Sequence, residues 1–151
     1  MKKLKTIVAV AAMLLTVTSF ATGIKEATVN EKVKASFKKG FSAATNISWE
    51  KKNDVYFADF ILNDHSVEAA YNENGDLIAL SNSIDANQMP LAINVAISND
   101  YLGYEVVTKV KEITYEFQTY YYMTISNNKQ LYKLKCAANG AITVEHKQKI
   151  N

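Results

Sequence analysis

Arginine is absent from this 151-residue chain, so all 17 basic residues are lysine. Without guanidinium groups the chain has no means of gripping phosphates or guanine edges in bidentate fashion, and its mature charge is close to neutral, so nucleic acid is not an expected partner. Cysteine is nearly absent as well. Cys136 stands alone and can form no bridge within the chain, so stability has to come from packing. The five glycines are scattered singly, and no Gly-rich phosphate loop, G-x-S-x-G elbow or carboxylate-rich calcium loop occurs. The two histidines, His65 and His146, share no ligand spacing, so no metal and no cofactor are expected. No apolar run is long enough to span a bilayer. The longest, Ile7 to Leu15, falls well short of the roughly 20 residues that crossing requires.

What that run does fit is an export signal. Lys2, Lys3 and Lys5 precede it, and Ser19-Phe20-Ala21 supplies a small-x-small cleavage site, so residues 1–21 are expected to be removed. The mature chain, residues 22–151, is then one domain in the periplasm or secreted, with no membrane attachment after cleavage and its lysines and acids balanced to within one charge.

Along the mature chain the apolar period changes twice. Asn30 can cap a helix, Glu31 suits its positive end, and Val33, Phe37, Phe41 and Ala44 form a stripe, which predicts a helix over about Glu31 to Ala44. Lys32, Lys34, Lys38 and Lys39 lie off the stripe as a solvated face. The period then falls to two. Ile47 and Trp49, then Tyr56, Ala58, Phe60 and Leu62, then Val67, Ala69 and Tyr71, then Asp76 to Leu80 predict four strands, with turns at 51–54, 63–65 and 72–75.

The second half has the same order. Pro90 opens a predicted helix to about Asp100 with Leu91, Val95 and Ala96 as its stripe and Ile93 and Ile97 alongside. Strands follow through Tyr104, Val106, Thr108 and Val110, through the long alternation from Tyr115 to Ile125, through Tyr132, Leu134 and Cys136, and through Ile142 and Val144. Asn74-Gly75 and Asn139-Gly140 mark equivalent hairpins, which reads as an internal duplication with repeats at about 30–84 and 89–147. The predicted fold class is α+β: two α-β-β-β-β repeats forming one antiparallel sheet with two helices on one face and the other face wet.

Several of these residues together carry a resemblance: Phe37 and Phe41, Trp49, Tyr56, Ala58 and Phe60, Ala70-Tyr71-Asn72, Asn74-Gly75, Met89-Pro90, Tyr101 and Gly103-Tyr104. In these the chain resembles the PepSY-like family of β-lactamase-inhibitor-like periplasmic proteins over nearly all of its mature length. The resemblance implies one antiparallel sheet whose concave face grips a partner, with PepSY domains proper linked to peptidase inhibition. It also departs from the inhibitor, which is stapled by disulfides that a lone Cys136 cannot make, and nothing in the sequence carries over β-lactamase as a target.

No catalytic constellation emerges, since Cys136 sits on the apolar side of its strand and both histidines read as surface groups. The chain is expected not to be an enzyme. On the uncovered sheet face the alternation places Phe57 and Ile61 around Asp59, Tyr120 and Tyr122 near Gln118 and Thr124, and Leu131 and Lys133 beyond them. Exposed aromatics among polar residues suit a protein interface, so Phe57, Ile61, Tyr120, Tyr122, Leu131 and Lys133 are the candidate partner-binding residues. The expected function is a monomeric, non-catalytic, inhibitor-like module holding a protein or peptide. The alternative is a periplasmic carrier of a small ligand or envelope polymer.

Overall fold

The computed structural model describes residues 25–150, so the expected export signal lies outside the described residues. The fold class is the expected one: α+β, with nine strands in one antiparallel sheet and two α-helices among the described residues. The chain divides into two compact units, one ending at Asn82 and taking in Thr114–Glu116, the other comprising Ser83–Ile113 and the chain from Phe117 onward.

In the first unit, helix α1 (Glu31–Gly40) begins where the Asn30 side chain accepts a hydrogen bond from the Lys32 N–H at 2.8 Å. It buries Val33 and Phe37 and stops at Gly40, four residues before the predicted end at Ala44. Phe41 leaves the helical conformation while its N–H still bonds the Phe37 carbonyl, which turns its ring onto Phe60 at 4.8 Å between centroids. Strands β1 (Thr45–Lys52), β2 (Val55–Leu62), β3 (His65–Asn72) and β4 (Leu77–Ile84) follow as consecutive antiparallel neighbours. The β2–β3 turn uses Asn63 and Asp64 at φ 50° and 64°, the left-handed pair that a two-residue hairpin needs. The helix-facing core is aromatic. Phe37 meets Phe60, Trp49 and Tyr71 edge-on with centroids 5.0, 5.2 and 6.5 Å away, contacts worth roughly 0.5–1.5 kcal/mol each beyond the area they bury.

The second unit has α2 (Leu91–Asp100), the short β5 (Glu105–Val106), then β6 (Val110–Tyr115), β7 (Gln118–Ser126), β8 (Gln130–Ala137) and β9 (Ile142–Lys149). β6 to β9 are successive neighbours, and β5 pairs with the far end of β7. Its core is aliphatic and sulfur-rich: Met89, Ile93, Ile97, Met123, Ile125, Leu134 and Cys136.

Three expectations fail in this unit. The stripe on α2 is Ile93 and Ile97, whereas Leu91 and Val95 are 77% and 50% exposed. Apolar and polar residues are both spread round this helix, so periodicity alone does not select the buried side; the i, i+4 step from Met89 through Ile93 and Ile97 to Tyr101 does. The strand expected from Tyr104 to Val110 breaks after Val106, where Val107 donates to the Thr124 carbonyl and the Thr108 hydroxyl accepts from the Thr124 N–H. The alternation from Tyr115 to Ile125 is two strands, because Glu116 and Phe117 take φ 50° and 60° and make a hairpin turn. Phe117, part of that alternation, is fully exposed at the tip of the turn.

One contact recurs in both units. The β3–β4 turn approaches α1 so closely that a Cβ on Gly75 would lie 2.7 Å from the Lys32 carbonyl oxygen, and a Cβ on Gly140 in the β8–β9 turn would lie 2.7 Å from that of Ala92. Both glycines have positive φ, 85° and 90°, so a side chain is excluded by conformation and by space. Asn30 adds a second tie in the first unit by donating to the Glu73 carbonyl at 3.0 Å. Gly75→Ala and Gly140→Ala should each cost about 1–3 kcal/mol in urea unfolding. Gly40→Ala, at the end of α1 with nothing within 4 Å of its Cβ, should be neutral or stabilising by up to about 1 kcal/mol. Equal effects at all three positions would contradict this packing.

Candidate binding face

Strand register decides which side chains share the helix-free face of each unit. In the first unit Trp49 pairs with Ala58 on the helix side, so Glu50, paired with Phe57, and Lys52, paired with Val55, lie on the other. Phe57 is also opposite Ala70, and Ala70 is opposite Ala79. Phe57 is only 2% exposed, and Ala70 and Ala79 are buried with it. This corrects the expectation of an exposed aromatic on a wet face. Two alanines on successive strands leave a trough that the phenyl ring fills. Lys52 sits over the ring, its ammonium 5.9 Å from the centroid and 3.1 Å from the Glu50 carboxylate. Ile61 is half-buried on the same face, and Asp59 stands opposite Glu68.

In the second unit Tyr121, Met123 and Ile125 face α2, which puts Tyr120, Tyr122 and Thr124 on the helix-free side. Across from them on β8 stand Lys135 opposite Tyr122, Lys133 opposite Thr124 and Leu131 opposite Ser126. The Lys135 ammonium lies 4.0 Å from the Tyr120 centroid and 5.8 Å from that of Tyr122, so one cation is held by two rings, each such contact contributing roughly 0.5–1 kcal/mol. The Tyr120 hydroxyl donates to Gln118 Oε1. A shallow groove of about 370 Å³ runs beside this pair, lined by Tyr120, Lys135, Ala137, Ala141, Thr143 and Glu145. Tyr120, Tyr122 and Leu131 are half-buried and Lys133 is exposed. Of the six candidates, then, Tyr120, Tyr122, Leu131 and Lys133 share the face of one unit, while Phe57 and Ile61 belong to the other unit and Phe57 is not at its surface.

A tyrosine cluster that the sequence reading did not anticipate lies on the helix side of the second unit. Tyr101, Tyr104 and Tyr132 form a mutual edge-on triad with centroids 5.5–5.9 Å apart. The hydroxyls of Tyr104 and Tyr132 both donate to Gln130 Oε1, at 3.0 and 2.9 Å. Lys147 lies over the Tyr132 ring at 5.1 Å; its hydrogen bond lowers the Tyr132 phenol below the usual value, and burial raises that of Tyr104. Such a cluster draws on positions far apart in the chain, so no local spacing announces it.

Groups with chemical potential are dispersed. His65 and His146 are exposed in different units, and among the described residues no group of three or more His, Cys, Asp and Glu could hold a metal ion. Burial pushes the Cys136 thiol up to about 11, so it is protonated at neutral pH. No helix among the described residues is long and apolar enough to cross a membrane.

No protein-family model matches the chain, and no curated protein matches it. Solved structures do. A BLIP-like protein of Bacteroides fragilis superposes with a TM-score of 0.65 at 22% identity, covering 80% of this chain and 85% of that one. A DUF2874 family protein of Bacteroides ovatus gives 0.67 at 16% identity over 81% and 88%. A "putative periplasmic" protein of Bacteroides eggerthii gives 0.66 at 19% over 80% and 88%. At these identities the likeness establishes a shared fold.

The buried acids give a testable pH dependence. Burial raises Cys136 to about 11 and Tyr71 to about 12, and burial with the Glu112 hydrogen bond raises Tyr121 to about 12. Each binds its proton more tightly folded than unfolded, so the stability is fully present below the unfolded values and is lost as pH rises through the folded ones. The melting temperature should fall progressively between about pH 9 and pH 12, and Cys136 should ignore Ellman's reagent at neutral to mildly alkaline pH until the chain is unfolded. A thiol that reacts at once in the native protein would refute the burial.

Proposed function

We propose that this chain is an exported, non-catalytic binding module of the PepSY-like, β-lactamase-inhibitor-like kind that holds a protein or peptide on the helix-free sheet face of its second unit. The observation that carries the reading is the Tyr120–Lys135–Tyr122 stack with Leu131 and exposed Lys133 beside it. Tyrosine offers a large apolar area with a hydroxyl at little entropic cost, and a lysine fixed over a ring presents its charge in a defined place, both properties of interface hot spots. The fold shared with a BLIP-like protein and the neutral, buried thiol of Cys136 support a binding role over a nucleophilic one. Export is supported by the Lys-rich, apolar, small-x-small beginning of the sequence and by the periplasmic description of one structural relative. The matching glycine–carbonyl contacts of Gly75 and Gly140 support reading the two units as an internal duplication.

Phe57 has no place in the test, because its loss would open a buried trough. Affinity capture from the periplasm of the native host should instead compare the parent chain with Tyr120→Ala/Tyr122→Ala/Lys133→Ala. We expect a partner retained by the parent and reduced at least about tenfold by the variant, a loss of roughly 1.4 kcal/mol or more, with the variant still unfolding cooperatively and its melting temperature lowered only by the lost ring–lysine contacts. Equal capture by both proteins would remove this face from the account.

A further inference from the structure

The second unit ends on a strand whose outer side has no neighbour in the sheet. β9 is the last strand in the sheet order, and of its eight residues Ile142 is half-buried and the rest are exposed. Strand pairing tells which of its main-chain groups look outward. The Ala137 N–H bonds the Ala141 carbonyl and the Ile150 N–H bonds that of Lys129, so alternation through the β8–β9 register turns Thr143, His146 and Gln148 toward β8. Ile142, Val144, Lys147 and Lys149 then present their N–H and C=O groups to the outside. The register shift at Lys133/Leu134 interrupts this row beside Glu145, so the stretch with Lys147 and Lys149 stands by itself and no long flat edge is left.

Charge marks the same edge. The β8–β9 hairpin, from Gln130 to Lys149, carries four lysines against Glu145 alone, whereas the rest of the described chain carries ten lysines against fourteen acids. Positive charge is thus gathered on the last two strands of a chain that is negative elsewhere. At β1, which also ends the sheet, the lysines are matched from within: Lys51 to Glu73 and Lys52 to Glu50. Lys147 and Lys149 take part in no ion pair among the described residues, and Lys147 is held in place over the Tyr132 ring.

Lysine on an edge strand guards it against pairing with its own copies. The guard works by charge, so it is selective: residues that repel a second lysine-rich edge attract a strand of opposite sign.

From the open ladder and the unmatched lysines we infer that the outer edge of β9 takes up an acidic, extended protein segment as an added strand, its backbone pairing at Lys147 and Lys149 and its carboxylates opposite their ammonium groups. This edge is a different surface from the tyrosine face, and either can fail without the other.

The probe is a fluorescein-labelled octapeptide of alternating Glu and Val, read by fluorescence polarisation with the mature chain, and its Lys-Val counterpart is the comparison. Saturable binding of the acidic peptide is expected, weakening as salt is raised because the pairs are exposed, with none of the basic one. Lys147→Glu/Lys149→Glu should weaken it at least about tenfold. Lys147→Ala removes an ammonium group, and Lys147→Pro removes an outward N–H as well, so the proline variant should bind several-fold more weakly than the alanine one. A fully N-methylated acidic peptide keeps its charges but cannot donate to a ladder. It should bind parent protein several-fold more weakly than the plain peptide, and it covers the case in which the proline disturbs β9. Absence of saturable binding, or parent-like binding by Lys147→Glu/Lys149→Glu, would overturn the site. Equal binding of the plain and N-methylated peptides would reduce it to charge attraction and overturn the added strand. A peptide lost with Tyr120→Ala/Tyr122→Ala but kept by the edge variants would lie on the sheet face, against this inference. A parent chain that sediments as a dimer and becomes a monomer with Lys147→Pro would give the edge to a second copy and overturn the acidic occupant.

Discussion

A hairpin turn pressed against the first turn of a helix is the constraint on which each unit depends. Where Gly75 meets the Lys32 carbonyl and Gly140 meets that of Ala92, no side chain can intervene, so the helix is held at a fixed height over the strands. That height sets which residues reach the sheet. Val33 and Phe37 do so from α1, and Ile93 and Ile97 from α2. The rest of each core is filled around those two anchors. Once one face of the strands is committed to a helix, the pleat sends alternate residues to the other face, and the candidate surface is a by-product of that commitment.

The two units apply the same frame to different chemistry. Phe37 gathers four aromatic rings in the first unit, whereas the second core is mostly methionine, isoleucine, leucine and cysteine with Tyr121 its buried ring, and the Tyr101–Tyr104–Tyr132 triad packs at its edge. On the helix-free side the contrast is similar. Phe57 is sunk between alanines, while Tyr120 and Tyr122 stay half-exposed around a lysine. A binding surface therefore follows from which neighbours are small, and cross-strand neighbours are fixed by register.

Much of the fold was legible because local rules governed it. The Asn30 cap, the Val33–Phe37 step and the Asn-Gly hairpins each depend on residues close in sequence, and the α+β architecture follows from their order. Three features escaped because a second influence decided them. The Glu116–Phe117 turn uses residues with no turn preference, so it hides inside an unbroken alternation. The burial of Phe57 depends on Ala70 and Ala79, which only strand pairing brings alongside it. The buried side of α2 could not be chosen from a helix whose apolar residues are spread round it rather than gathered in one stripe. For the candidate site, parity along β7 and β8 correctly grouped Tyr120, Tyr122, Leu131 and Lys133, and the holding of Lys135 between two rings became visible only with distances.

The claim that most needs testing is that the helix-free face of the second unit is the working surface, since α2 also exposes apolar residues at Leu91 and Val95, with exposed Leu102 just beyond its end. Photo-crosslinking in the native host addresses it directly, with p-benzoylphenylalanine placed at Lys133 in one protein and at Val95 in another. The account predicts a discrete adduct from position 133 and none from position 95. An adduct formed only from position 95 would contradict it and move the working surface to the helix.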